Sequence, residues 1–293
     1  MTDIPAMPST MPGARKETRR SPAVPLSIKL AFGWLVLMLL IGVFASYLSI
    51  YDFKALDLKA RLVPPLGFGG DTRHLLGTDE LGRDVLARLL FSIQMSLLIA
   101  FGATVIGAVL GTTLGFLSAH YRGWVEQIVL ACVDFQASMP FLILALAVLA
   151  FFGNSLPLFV ALLGLHGWER YARITRALTL SANSQGYIAA VRQLGANPWR
   201  IYFRHVLPNI ASTLIVTMTI AFPEVILLES GLSFLGLGVQ PPLTSLGNMV
   251  GYGRDYLTRA PWILVAPAVV ISISTLSISL IGDWFRDRLD RTP

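Results

Sequence analysis

Polarity changes along this chain in long blocks. Apolar stretches cover roughly residues 27–50, 91–119, 127–151, 155–169, 210–229 and 262–282, with polar runs between them. A membrane-crossing helix needs about 20 mostly apolar residues at about 1.5 Å each. The pattern therefore predicts an all-α membrane protein with six transmembrane helices. Three of the six are unusual: 127–151 contains Asp134 and Pro140, 155–169 is short, and 210–229 holds Glu224 beside Pro223. They still read as spans, because leaving their Leu, Val and Phe side chains in water would cost about 25 cal/mol per Å². The layout that follows is a disordered tail at 1–26, a first helix at 27–50, an extramembrane loop at 51–90, a five-helix core at 91–284 and a tail at 285–293.

Composition supports this reading. Hydrophobic residues make up 54% and charged residues 14%, against about 25% charged in soluble domains, and the mean hydropathy is +0.65. The net charge of +6 calls for no nucleic acid, since membrane proteins concentrate Lys and Arg on their cytoplasmic loops. Six spans put both termini on one side. Taking that side as cytoplasmic places fifteen basic residues inside and eight outside, which is the expected asymmetry. The lone cysteine, Cys132, excludes an internal disulfide. None of the four lysines (Lys16, Lys29, Lys54, Lys59) follows a glycine, so the chain has no phosphate-cradling Gly-Lys-Ser/Thr loop and binds no cofactor in that manner.

On this topology the region 169–208 is cytoplasmic. Within it, "YIAAVRQLGANPWRIYFRHVLPN" (187–209) carries Arg192, Arg200, Arg204 and His205 without a single acid. Ser184 is placed to cap a helix whose apolar positions Tyr187, Val191 and Leu194 form one stripe. Gly195 stands where a helix terminus requires positive φ. Asn197 and Pro198 form an N-cap and first-turn pair opening a second helix, with Trp199, Tyr202 and Val206 on its apolar side. Pro208 is expected to close the unit where the chain re-enters the membrane.

This segment resembles the cytoplasmic signature loop, the EAA loop, of ATP-binding-cassette importer permeases. Ala189, Ala190 and Val191 occupy its first three places, Gly195 follows at the right distance, and Leu207 and Pro208 close it. Ala189 stands where the family usually has Glu, and His205 where it usually has Ile. Two further stretches are similar to the C-type inner-membrane subunit of the dipeptide/oligopeptide/nickel branch: "LGTDELGRDVLARLL" (76–90) and "ESGLSFLGLGVQPPLTSLGNMV" (229–250). The first reads as an amphipathic helix at the outer surface, capped by Thr78, with Asp79–Arg83 and Asp84–Arg88 as acid-first pairs. The second, dense in Gly and Pro, reads as a partly re-entrant segment at the outer mouth.

The resemblance implies a type I importer fold in the bacterial inner membrane, acting as a non-catalytic half of a translocation pathway. Its implied partners are a B-type permease, two ATPase subunits that hold ATP and Mg, and an extracytoplasmic solute-binding protein, all within membrane lipid. The ATPase-coupling positions on this chain would be Tyr187, Ala189, Ala190, Val191, Arg192, Gly195, Asn197, Arg200, Arg204, Leu207 and Pro208. An ion-driven secondary transporter is the alternative, but the chain shows no internal repeat of the kind such carriers commonly contain.

Two features need an account independent of the resemblance. Ala103, Gly107, Gly111 and Gly115 recur every four residues, a small-residue ridge suited to close helix packing. Asp134, Glu224 and Glu229 fall in or beside spans, where a charge costs about 2.5–3.5 kcal/mol; they are candidates for the translocation path or for buried pairs. No arginine in the lipid-deep part of a span is at hand to pair with Asp134.

Overall fold

The computed structural model describes residues 24–289. The expected tail at 1–26 lies almost wholly outside that range, as do the final residues of the C-terminal tail. Among the described residues the fold is helical, and the only β feature is an isolated bridge between Thr78 and Asp84.

Helix α1 (Leu26–Leu48) is apolar on all sides, with Leu30, Phe32, Leu39 and Val43 exposed, as a lipid-facing helix requires. It is tied to the bundle by Trp34, whose Nε1 donates to Ser274 Oγ at 3.0 Å. Helix α2 (Val85–Tyr121) has 37 residues and is about 55 Å long, well beyond the ~30 Å hydrocarbon layer. Asp84 is its N-cap, Oδ1 accepting from Ala87 N at 2.7 Å. The sequence places a helix cap at Thr78, but the helix starts six residues later because Asp79 is drawn into a turn, accepting from the Leu81 and Arg83 amides, each at 2.9 Å. Thr78 serves the loop instead, donating to Ala60 O and accepting from Val63 N at 2.8 Å. Of the two expected pairs, Asp79–Arg83 forms at 2.7 Å. Arg88 turns away from Asp84 to join the same Asp79 carboxylate, and Asp84 takes His74 at 2.9 Å.

Helices α3 (Gly123–Ser138) and α4 (Phe141–Phe152) are bent by 91°. Pro140 sits at the bend, where it lacks an amide proton and disfavours helix at the residue before it. The expected span 155–169 is divided. Helix α5 (Leu156–Gly164) has nine residues, and after a turn ending in Gly167 (φ 84) a second helix, α6 (Trp168–Asn183), begins. Helices α7 (Gly186–Gln193) and α8 (Pro198–Ile201) form an elbow. A π turn at Tyr202–Val206 then leads into α9 (Leu207–Phe234). After the re-entrant α10 (Leu246–Gly253) comes α11 (Trp262–Leu289).

Among the described residues four stretches are long and apolar enough to cross a membrane: Leu26–Leu48, Val85–Tyr121, Pro198–Phe234 and Trp262–Arg288; the bent α3–α4 pair makes a fifth if it is one span. The stretch Pro198–Phe234 overturns the expectation that Pro208 ends the elbow. The π turn directly before Pro208, with Leu207 N bonding Tyr202 O, widens the spiral where the proline ring would otherwise meet the preceding turn. The second arm of the elbow, α8, is therefore one continuous rod with the π turn and α9, while α7 is set off from it by the turn at Gly195.

The small-residue ridge packs inside the bundle. A Cβ added at Gly107 would lie 2.9 Å from Gly164 O, at Gly111 2.2 Å from Trp168 O, and at Gly115 2.7 Å from Ala172 O. The end of α5 and the first turns of α6 thus lie backbone to backbone on α2, on either side of the break.

Candidate functional site

The elbow is built on a rigid seat. Helix α6 ends at Ser184, whose Oγ donates to Ser181 O at 2.7 Å; α7 opens at Gln185 without a side-chain cap, so Ser184 closes one helix rather than starting the next. Gly195 has φ 78, the left-handed conformation the sequence called for. Its amide and the next return to Arg192 O at 3.0 Å and Val191 O at 3.4 Å. Asn197 caps α8, Oδ1 accepting from Trp199 N at 3.2 Å.

The buried side of the elbow keeps Val191, Tyr202 and Val206 of the predicted stripes but not Tyr187, Leu194 or Trp199. Ile188, Ile201, Tyr202 and Val206 are buried, with Val191 packed against them. Tyr202 stacks on Phe116 of α2 with ring centroids 5.3 Å apart, and its hydroxyl meets His120 Nδ1 at 2.9 Å. The apolar residues left over face outward: Leu194 is 86% exposed, Trp199 67% and Phe203 53%, Trp199 and Phe203 stacking on each other at 5.3 Å. Tyr187 and Ala190 are also exposed, as are Arg192, Arg200, Arg204 and Pro208, while Leu207 is half-buried. Ala189 lies in the body of α7. A cleft of about 520 Å³ beneath the elbow is lined by His120, Arg122, Asn183, Arg192 and Tyr202. The result is an acid-free surface that combines apolar knobs with guanidinium groups.

The three acids singled out in the sequence, Asp134, Glu224 and Glu229, each have partners. Asp134 Oδ1 accepts from Arg173 Nη2 at 2.8 Å; the arginine comes from α6, outside the stretches read as lipid-deep. Arg176 binds Glu126. Glu224 meets Arg170 at 3.2 Å and His166 at 3.3 Å. The three arginines sit at i, i+3, i+6 on α6, one strip of a helix surface. That spacing is readable in the sequence; its acidic partners, on α3 and α9, are not.

Glu229 is enclosed completely. Oε1 accepts from Ser233 Oγ at 2.8 Å and Ser245 Oγ at 2.7 Å, and Oε2 from Ser96 Oγ at 3.2 Å. Ser96 also accepts from Leu246 N at 3.0 Å, and Ser245 from Asn248 N at 3.2 Å. One carboxylate thereby ties α2, α9 and the N-terminus of α10 together. Close backbone approach helps: a Cβ at Gly247 would fall 2.4 Å from Ser230 Cα. Helix α10 and the loop before it form a packed insert against α2, α9 and α11 at the end of the bundle away from the elbow. Among the described residues no group of three or more His, Cys, Asp or Glu is arranged to hold a metal ion.

Comparison with known proteins places this architecture. Over residues 107–292 the sequence matches the family described as "Binding-protein-dependent transport system inner membrane component". It is 39% identical over 264 residues to the di/tripeptide transport system permease protein DppC of Pseudomonas aeruginosa, covering 89% of this chain and 87% of that one. It is 34% identical to the glutathione transport system permease protein GsiD of Pectobacterium atrosepticum, covering 97% and 96%. With the oligopeptide transport system permease protein OppC of Mycobacterium bovis, identity is 37% over 82% of this chain and 81% of that one. Among solved structures, the inward-facing MetNI methionine ABC transporter matches with a TM-score of 0.56 at 23% identity, covering 68% of this chain and 95% of that one, a likeness of fold. The chain belongs to the inner-membrane permease components of binding-protein-dependent ABC transport systems.

Proposed function

We propose that this chain is one of two permease subunits in an ATP-driven importer of peptides or related small solutes in a bacterial inner membrane, and that its elbow is the seat of a cytoplasmic ATPase. The observation that carries the reading is the elbow's construction. It is anchored through Ile188, Tyr202 and Val206, continuous with a membrane rod, and exposes Leu194, Trp199 and Phe203 among arginines. Large apolar side chains held outward on a rigid base fit a protein groove better than water or headgroups.

In this account α5 and α6, about 37 Å of helix between them, together form the sixth crossing, and both termini are cytoplasmic. ATP-driven closure of the ATPase pair pushes the elbow. Because the elbow continues into α9, and because the Gly107–Gly111–Gly115 ridge fixes α6 on α2, the push moves a body rather than a loop. The ATPase works by favouring one of two subunit arrangements; the chain supplies contact and needs no catalytic group. The loop at 49–84 and the α10 insert then face the solute-binding protein, and a related B-type permease completes the pathway. Peptide-class cargo is supported by the names of the relatives, and the ion-driven alternative has no such support.

The test is to co-express the chain with the ATPase, the second permease and the binding protein, and to replace Leu194 with Asp. The substitution should leave membrane insertion intact while greatly reducing ATPase retention on purification and ATP-dependent uptake. Unchanged retention and uptake would refute the docking role.

A further inference from the structure

At one level of the bundle, two helix breaks and one charged cluster converge. The α3–α4 bend places Phe141 against His166, with ring centroids 4.4 Å apart, and His166 lies in the turn separating α5 from α6. Glu224 reaches this point from α9, about 15 Å before that helix ends, inside the apolar stretch. Irregular backbone at membrane depth survives only when buried in protein or lining a water-filled cavity. Here the cluster is not buried: Arg170 and Glu224 are each 42% exposed. A half-exposed ion pair facing hydrocarbon would carry a charge penalty of about 2.5–3.5 kcal/mol per group, which favours a face turned to the pathway.

Both contacts to Glu224 lie at the long end of the hydrogen-bonding range. Arg170–Glu224 is 3.2 Å and His166–Glu224 is 3.3 Å, whereas Asp79 holds Arg83 at 2.7 Å. A cavity of about 370 Å³ opens beside it, with Arg170 at one end, Thr213 and Thr217 along its wall and Arg286 also in its lining. That volume falls within the range of roughly 300–1,000 Å³ typical of small-molecule sites.

We infer that Arg170 and Glu224 form a charge-exchange site for a zwitterionic short peptide in transit. The inference rests on the peptide reading given above. Arg170 releases Glu224 and takes the peptide C-terminal carboxylate by a charge-assisted hydrogen bond. Glu224, still held by His166, takes the terminal ammonium. Each charge exchanges one partner for another, so neither the protein nor the cargo leaves an unpaired charge at membrane depth, where desolvation is most expensive. From there the cavity leads the released cargo along α6 and α9.

The experiment uses the complete importer in proteoliposomes with one and the same binding protein, and compares uptake of alanyl-alanine, its C-terminal amide and its N-acetyl derivative. Using one binding protein throughout makes its own preference cancel when permease variants are compared. Arg170→Met should reduce the preference for the free carboxylate over the amide by tenfold or more, with amide uptake within about twofold of wild type. Arg170→Lys should keep the preference. Glu224→Gln should reduce the preference for the free amine over the N-acetyl peptide and leave the carboxylate preference alone. Equal loss for all three compounds, or no change in either preference, would overturn the site. If the unaltered importer takes up none of the three, the peptide reading itself fails and the site with it, an outcome distinguishable from selective failure in the variants.

Discussion

Gly111 gives the most quantitative handle on the rigid-body account. An alanine there would put its Cβ 2.2 Å from Trp168 O, 2.7 Å from Tyr171 Cβ and 3.0 Å from Ala172 N. Carbon contacts are comfortable at about 3.5–4.0 Å, so α6 must retreat from α2 by about 1 Å or more. None of the three is a flexible side-chain end that could swing aside: two are main chain, and Tyr171 is buried. A gap of 0.5–1 Å forfeits about a quarter to a half of each contact along the seam. Overpacking of this kind costs about 1–3 kcal/mol. At about 2–4 °C per kcal/mol for a chain near this size, Gly111→Ala should melt about 3–10 °C lower, followed by tryptophan fluorescence of the purified complex in detergent. Gly33→Ala, where nothing lies within 4 Å of the added carbon, is the control and should match wild type. If Gly111→Ala also melts within a degree of wild type, the two helices do not touch as described, and the mechanical link from α6 to α2 fails.

Other outcomes follow from particular contacts. Glu229→Ala strands the hydroxyls of Ser96, Ser233 and Ser245, each unsatisfied group costing about 1–3 kcal/mol; it should expose residues 235–253 to limited proteolysis, while Glu229→Gln, still able to accept one bond, should be milder. Gly195→Val forces a β-branched residue to φ 78, which costs at least about 1–2 kcal/mol; ATPase activity should lose its dependence on loaded binding protein, whereas Gly195→Asn, more tolerant of that conformation, should retain most of it. Arg88→Met leaves the buried Asp79 carboxylate short of one partner and should destabilise the loop at 49–84 by about 3–5 kcal/mol, read as faster hydrogen exchange there.

The apolar rods and the elbow are legible in the sequence for different reasons. The rods are announced by length alone, since few soluble helices sustain 20 apolar residues. The elbow is announced by local chemistry: a glycine at positive φ and an Asn-Pro start act within a few residues. What remained hidden was decided at long range. Nothing near Asp134 predicts Arg173, which is brought in by α6 from 39 positions away. The start of α2 moved because Asp79 had two arginines and two amides to satisfy at once, a competition invisible to helix periodicity. The elbow stripe was misassigned for a similar reason. Tyr187, Val191 and Leu194 satisfy the spacing rule, but Phe116 and His120 of α2 select Ile188 and Tyr202 for the seat. Leu194, Trp199 and Phe203 are left outside, and that displacement gives the docking surface its apolar content.

Contact between this outward face of the elbow and an ATPase is the central claim, and cross-linking from one position tests it most directly. Cys132, which is exposed, is first replaced by Ser. Leu194→Cys is then introduced, and the assembled transporter in native membranes is treated with a short bifunctional thiol–photoreactive reagent. The expected result is an adduct between this chain and the ATPase subunit whose yield changes when ATP is added. An adduct only with lipid or with the solute-binding protein, or labelling of the introduced thiol by an impermeant reagent applied from outside the cell, would contradict it.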